Sequence, residues 1–187
     1  MSESKKRIIP TKILWIDLEM TGLDPQKDVI LEVAAEITDF EFKTIANYEA
    51  CIKQPKKLVV ERMQKNTWWQ DYPQNRDSFI NGLEKAKPLK TVEKEIIDLV
   101  YEHFGSEPAV LGGNSIWNDR MFIRHWMPAL DLKLHYRMLD VSSWKVFMQA
   151  RFGVEFKKPE VHRAFEDIQG SIAELEYYLN WFKKHLK

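Results

Sequence analysis

Ile13-Leu14-Trp15-Ile16-Asp17-Leu18-Glu19-Met20-Thr21-Gly22-Leu23-Asp24-Pro25 is the stretch from which the fold is read. Residues 13–16 are wholly apolar, the pattern of a buried strand. Gly22 and Asp24-Pro25 carry the marks of the turn that follows. Residues two apart on a strand point to the same face, so Asp17 and Glu19 project together from the strand's end. Two adjacent carboxylates repel unless something positive lies between them. A hard divalent cation answers that need, since carboxylate oxygens suit Mg²⁺ or Mn²⁺. The alternative is a strand edge carrying two solvated acids.

Outward from this strand, residues 29–38 are rich in β-branched side chains and predict a second strand. Residues 42–52 predict a third, joined by a turn at 39–41, so the chain opens as an antiparallel meander. Glu32 and Glu36 share a face of the second strand. No other ligand type accompanies them, and they are assigned no role. Pro55 breaks the pattern. Residues 58–90, with Trp68, Trp69 and Pro88, read as mixed loop and helix. Thr91 is expected to cap a helix running to Phe104, with Glu93 and Glu95 in its first turn and Gly105 beyond its end. Residues 109–111 form a short strand stopped by Gly112-Gly113. A helix over 115–127, a strand over 137–141 and a helix over 142–152 follow. The last helix, about 165–185, has Ile168, Ile172, Leu175, Leu179 and Phe182 at steps of three and four, one apolar seam. Strands first, then helix and strand in alternation, predict a mixed α/β domain.

Composition narrows the function classes. The 187 residues fit one domain (13–187) after a short flexible tail (1–12), long enough for a core without disulfides. With 28 basic and 28 acidic residues the chain lacks the field of a protein that tracks long polyanions. A nucleic-acid substrate is therefore short or held by a local patch. The single Cys51 excludes an internal disulfide and cysteine-rich zinc modules and fits a reducing cytoplasm. Residues 1–12 are polar, unlike a signal peptide, and no run approaches the ~20 apolar residues of a membrane span.

Three further residues complete a candidate site. Asp119 falls in the first turns of its helix, after Gly112-Gly113-Asn114-Ser115. Glycines permit close backbone approach there, and the helix start offers free N–H groups to an anion, so Asp119 is a candidate ligand near a phosphate-facing helix start. The alternative is an acid complementing the helix dipole. His162 and Asp167 stand five apart, which on one helix would separate them by ~140° at ~100° per residue. They converge only if His162 precedes the helix and Asp167 sits in its first turn. A histidine there can accept a proton from water near neutral pH; the alternative is a loop histidine bonded to a neighbouring carbonyl.

Four segments, in order, resemble the oligoribonucleases, which belong to the four-acid exonucleases with a histidine general base. They are Trp-Ile-Asp-Leu-Glu-Met-Thr-Gly-Leu-Asp-Pro (15–25), Gly-Asn-Ser-Ile with Asp-Arg-Met-Phe (113–122), Tyr-Arg-Met-Leu-Asp-Val-Ser (136–142) and His-Arg-Ala-Phe-Glu-Asp-Ile-Gln-Gly-Ser-Ile-Ala-Glu-Leu-Glu-Tyr-Tyr (162–178). The resemblance implies a ribonuclease H-like exonuclease fold, a mixed central sheet flanked by helices. It implies a homodimer that hydrolyses very short RNA, dinucleotides above all, from 3′ to 5′ into nucleoside monophosphates. It assigns two divalent cations to Asp17, Glu19, Asp119 and Asp167, with His162 as the base. Leu23 would wedge between bases. Ser115 and Ser142 would cap the terminal phosphate, joined by Tyr136 and Arg137 of the second subunit.

Two segments depart from the family. Trp117-Asn118 stands where Gly-Gln is usual, and residues 66–82 match poorly. The base-stacking tryptophan expected in that region is Trp68 or Trp69, with Trp68 preferred. Two other functions remain as alternatives. One is a proofreading or ribonuclease T type of exonuclease acting on longer single strands. The other is an RNA-binding domain with an inactive site.

Overall fold

β1 (Lys12–Met20) buries side chains on both faces, and the rest of the fold supplies two separate layers to cover them. In the computed structural model, which describes residues 9–157 and 163–185, β1 is the middle of five strands. The others are β2 (Ile30–Asp39), β3 (Thr44–Cys51), β4 (Ala109–Gly113) and β5 (Leu134–Asp140), in the order β3-β2-β1-β4-β5. The first three form the antiparallel meander; β4 and β5 run parallel to β1.

Leu14, Ile16 and Leu18 pack on α4 (Leu89–Phe104) and α5 (Trp117–Trp126) through Val92, Ile96, Val100, Phe122 and Ile123. On the opposite face Ile13, Trp15 and Ala34 meet α7 (Val141–Phe152) and α8 (Ala164–His185) through Val141, Ile168, Ile172 and Leu175. The seam read from the sequence is thus the one α8 buries. Helices α1 (Lys56–Lys65), α2 (Trp68–Asp71) and α3 (Pro73–Gly82) close a third cluster around Val29, Leu31 and Trp69. A short α6 (Pro128–Asp131) joins α5 to β5.

Three local expectations are corrected. Gly112 and Gly113 do not stop β4; they are part of it, paired with β1 and β5. A Cβ on Gly112 would stand 2.8 Å from Ile13 Cγ2, and one on Gly113 would stand 3.0 Å from the Ile16 carbonyl oxygen. Glycine lets β4 lie flush against β1. Thr91 is not the cap of α4, which starts at Leu89 after Pro88, whose carbonyl accepts the Thr91 N–H at 3.0 Å. Glu93 in turn is buried; it accepts the Ala129 N–H of α6 at 2.9 Å as well as Lys90 of its own helix at 3.1 Å. β5 begins at Leu134, earlier than residue 137, because buried Leu134 already pairs with Ala109.

Candidate active site

Asp17 and Glu19 lie on the face of β1 that packs against α8, in line with Ile13 and Trp15. Asp167 sits in the first turn of α8, its N–H donating to the Arg163 carbonyl at 2.9 Å. The three half-buried carboxylates converge: one oxygen from each lies within 4.8 Å of the other two. Burial pushes the Glu19 carboxyl up to about 8, with the charges of Asp167 and Glu32 adding to it and Arg163 opposing. A carboxyl so costly to ionise beside other acids is stabilised by a cation between them. Three hard oxygen donors fit a divalent one of the Mg²⁺ or Mn²⁺ class.

Asp119 is not one of that trio. It is buried near the start of α5, where its Oδ1 accepts the Leu18 N–H at 3.0 Å. β4 pairs with β1 only as far as Trp15; beyond that point Asp119 takes over the strand edge between the two β1 acids. Burial raises its carboxyl above the usual range, against the lowering effect of the N–H bonds it accepts. The sequence reading made it a candidate ligand near a helix start; it does lie in the first turn of α5, and its bond to the strand is an addition to that reading.

Beside this cluster the ends of β4 and β5 meet. Ser115, with a left-handed φ of 49°, donates its N–H to Asp140 Oδ1 at 3.0 Å and to Ser142 Oγ at 2.9 Å. The two serine hydroxyls are 3.0 Å apart. Ser142 also donates to Asn114 Oδ1 at 3.2 Å, and Asn114 Nδ2 reaches Ser171 and Glu174 on α8. Ser115 and Ser142, remote in sequence, are therefore one polar unit.

Leu23 is 70% exposed on the turn after β1. Asp28 ties that turn, accepting from Thr21 Oγ1 and the Asp24 N–H, each at 3.0 Å. A Cβ on Gly22 would come within 2.5 Å of the same carboxylate. Trp69 is buried in the third cluster and donates its indole N–H to the Thr21 carbonyl at 3.2 Å. Trp68 is half-buried and packs on Tyr72 with ring centres 4.6 Å apart. Tyr136 and Arg137 stand exposed on β5, the guanidinium 5.2 Å from the ring centre. His162 lies outside the described residues; α8 begins at Ala164.

The sequence reading passed over Glu32, Arg163, Asp140 and Asn114. Glu32 and Glu36 carried a usable signal. They sit four apart in a run that is otherwise apolar from Val29 to Ile37, and buried charges require partners. Glu36 accepts from Thr44 Oγ1 at 2.6 Å and from Gln169 on α8; Glu32 binds Arg163 and the start of α8. Asp140 was legible as a helix cap, an aspartate directly before a helix, and it accepts the Ser142 N–H at 2.9 Å.

The Exonuclease family model matches residues 14–175. The chain is 39% identical to a probable oligoribonuclease of Caenorhabditis elegans, over 91% of this chain and 88% of that protein. It is 39% identical to an oligoribonuclease of Corynebacterium glutamicum, over 97% of this chain and 87% of that one. Among solved structures it resembles exonuclease I of Methylocaldum szegediense, with 14% identity, 95% of this chain covered and a TM-score of 0.66. It also resembles E. coli exonuclease I in complex with a dT13 oligonucleotide, with 15% identity, 94% coverage and a TM-score of 0.63. At that identity the likeness is one of fold, and this chain spans 42% of each exonuclease I chain.

Proposed function

The chain belongs to the oligoribonuclease family of exonucleases, and from that membership we propose that it hydrolyses very short RNA, dinucleotides foremost, from 3′ to 5′ into nucleoside monophosphates. The observation that carries the reading is the convergence of Asp17, Glu19 and Asp167 from β1 and α8. These three, with Asp119, would hold two divalent cations, Mg²⁺ or Mn²⁺. Cations bound there would supply Lewis-acid stabilisation of the phosphoryl charge and make a water easier to deprotonate. His162 would be the base that takes the proton from the attacking water.

The remaining residues set substrate length. Leu23 has the exposure needed to wedge between two bases, and Trp68, the less buried of the tryptophan pair, is the stacking surface. The paired hydroxyls of Ser115 and Ser142 cap the phosphate at the far end. Tyr136 and Arg137, exposed on edge strand β5, close that end from the second subunit of a homodimer. A capped site explains the balanced charge, since a dinucleotide has one internal phosphate and no backbone to track. No helix among the described residues is long and apolar enough to cross a membrane; the lone thiol Cys51 suits a reducing cytoplasm.

The test is hydrolysis of a dinucleotide and a ten-mer RNA side by side with Mn²⁺. Higher kcat/KM on the dinucleotide is expected. Faster cleavage of the ten-mer overturns the assignment of substrate length in favour of a longer-strand exonuclease. Absence of hydrolysis on both leaves only an RNA-binding role.

A further inference from the structure

Glu32 is a charged side chain with no exposed surface, in the middle of the sheet and opposite Glu19 in the β1–β2 register. Its two oxygens receive three hydrogen bonds from the start of α8. Arg163 Nη2 donates to Oε1 at 2.6 Å, while Arg163 Nε at 3.1 Å and the Ala164 N–H at 3.2 Å donate to Oε2. The guanidinium fork on a carboxylate is both strong and directional. The third bond satisfies one of the opening N–H groups of α8, which have no partner within the helix, and places negative charge at the favoured end of its dipole. In the same turn Arg163 accepts the Asp167 N–H at 2.9 Å. Two hydrogen-bonded steps thus run from the sheet to Asp167.

The apolar seam of α8 cannot do this work alone. Burial of Ile168, Ile172 and Leu175 presses the helix onto the sheet, but hydrophobic attraction is non-directional. It leaves the rotation of the first turn loosely set. We propose that Glu32, acting through Arg163, is a positioning residue that sets the rotation of the first turn of α8, and with it the placement of Asp167 against Asp17 and Glu19. The inference rests on the metal-site reading above and extends it to a residue that need not touch the cation.

Glu32→Gln keeps the shape and one good acceptor; Arg163→Met keeps the stem and removes the fork. Arg163→Lys keeps charge without the fork. Mn²⁺ affinity by calorimetry, kcat and KM on a dinucleotide, and melting in EDTA are measured for each. Glu32→Gln and Arg163→Met should each weaken Mn²⁺ binding by ~10–100-fold and lower kcat similarly, with KM within about twofold. Their double variant should be no worse than either alone, because both break one link. Arg163→Lys should recover little.

Simple charge effects give a different pattern, since removing the cation at Arg163 would then strengthen Mn²⁺ binding while removing the anion at Glu32 weakens it. Opposite signs, additive losses, or a lowered melting temperature with Mn²⁺ affinity unchanged each overturn the proposal. Arg163→Lys leaves a positive partner beside buried Glu32, so it keeps the fold where Arg163→Met or Glu32→Gln does not. If the wild type binds Mn²⁺ but cuts no short RNA, the activity reading fails while the affinity comparison still decides this one.

Discussion

Glu19→Gln should make the metal-free protein more stable, although it removes a residue the activity needs. Burial and the neighbouring acids raise the Glu19 carboxyl from 4.5 to about 8 in the folded chain. The sign follows from proton binding. Below pH 4.5 both states hold the proton, and the folded state suffers no penalty. Between 4.5 and 8 the unfolded chain releases its proton while the folded chain keeps it, so stability falls as pH rises through that window. At pH 7 the gap is ~2.5 pH units, and at ~1.36 kcal/mol each that amounts to ~3 kcal/mol, nearer 2 with the water that still reaches this half-buried group. Glutamine occupies the same space without the charge and escapes the loss. For a domain of this size the gain corresponds to roughly 5–10 °C in melting temperature. The assay is urea and thermal unfolding of both proteins in EDTA, from pH 5 to 9. The variant should show a flatter pH dependence and the higher midpoint above pH 6. Added Mn²⁺ should reverse the order by stabilising only the wild type strongly. A variant less stable than the wild type at pH 8 in EDTA, or one with the same pH slope, would refute the reasoning.

Other outcomes test other parts of the site. Gly113→Ala places a Cβ 3.0 Å from the Ile16 carbonyl and 2.8 Å from Ile116 Cδ1; it should cost ~1–3 kcal/mol in urea unfolding and weaken Mn²⁺ binding, because Ile16 precedes Asp17. An unchanged midpoint would mean that β4 can shift freely. His162→Ala should lower kcat by ~10²–10⁴-fold while calorimetric Mn²⁺ affinity holds; near-normal turnover excludes it as the base. Trp69→Ala, emptying a fully buried site, should cost ~3–5 kcal/mol, whereas Trp68→Ala should cost less stability and raise the dinucleotide KM. The reverse ranking would exchange their roles.

Local pattern alone determined much of this protein. Side chains alternate along a strand and recur every three or four residues along a helix as a matter of covalent geometry. That is enough to put Asp17 and Glu19 on one face, to pick out Ile168, Ile172 and Leu175 as the buried side of α8, and to require that His162 and Asp167 not share a helix if they are to converge. The family's four motifs, also local, marked the acids. What the pattern could not reach are contacts between segments far apart in the chain. Glu32 looked idle because its partner Arg163 lies 131 residues away. Asp119 is the helix-start acid the pattern indicated, but its bond to Leu18, 101 residues earlier, was out of reach. The glycines read as a strand stop because nothing local reveals how closely β4 must approach β1. The sequence preferred Trp68 over Trp69 only slightly, and that Trp69 is the one buried in the third cluster shows only in the packing. The raised carboxyl of Glu19 has the same origin, since it depends on burial and on Asp167 arriving from α8. Which faces exist is written in the chain one residue after another; which faces meet is decided only when sheet order and helix docking bring distant residues within a few ångströms.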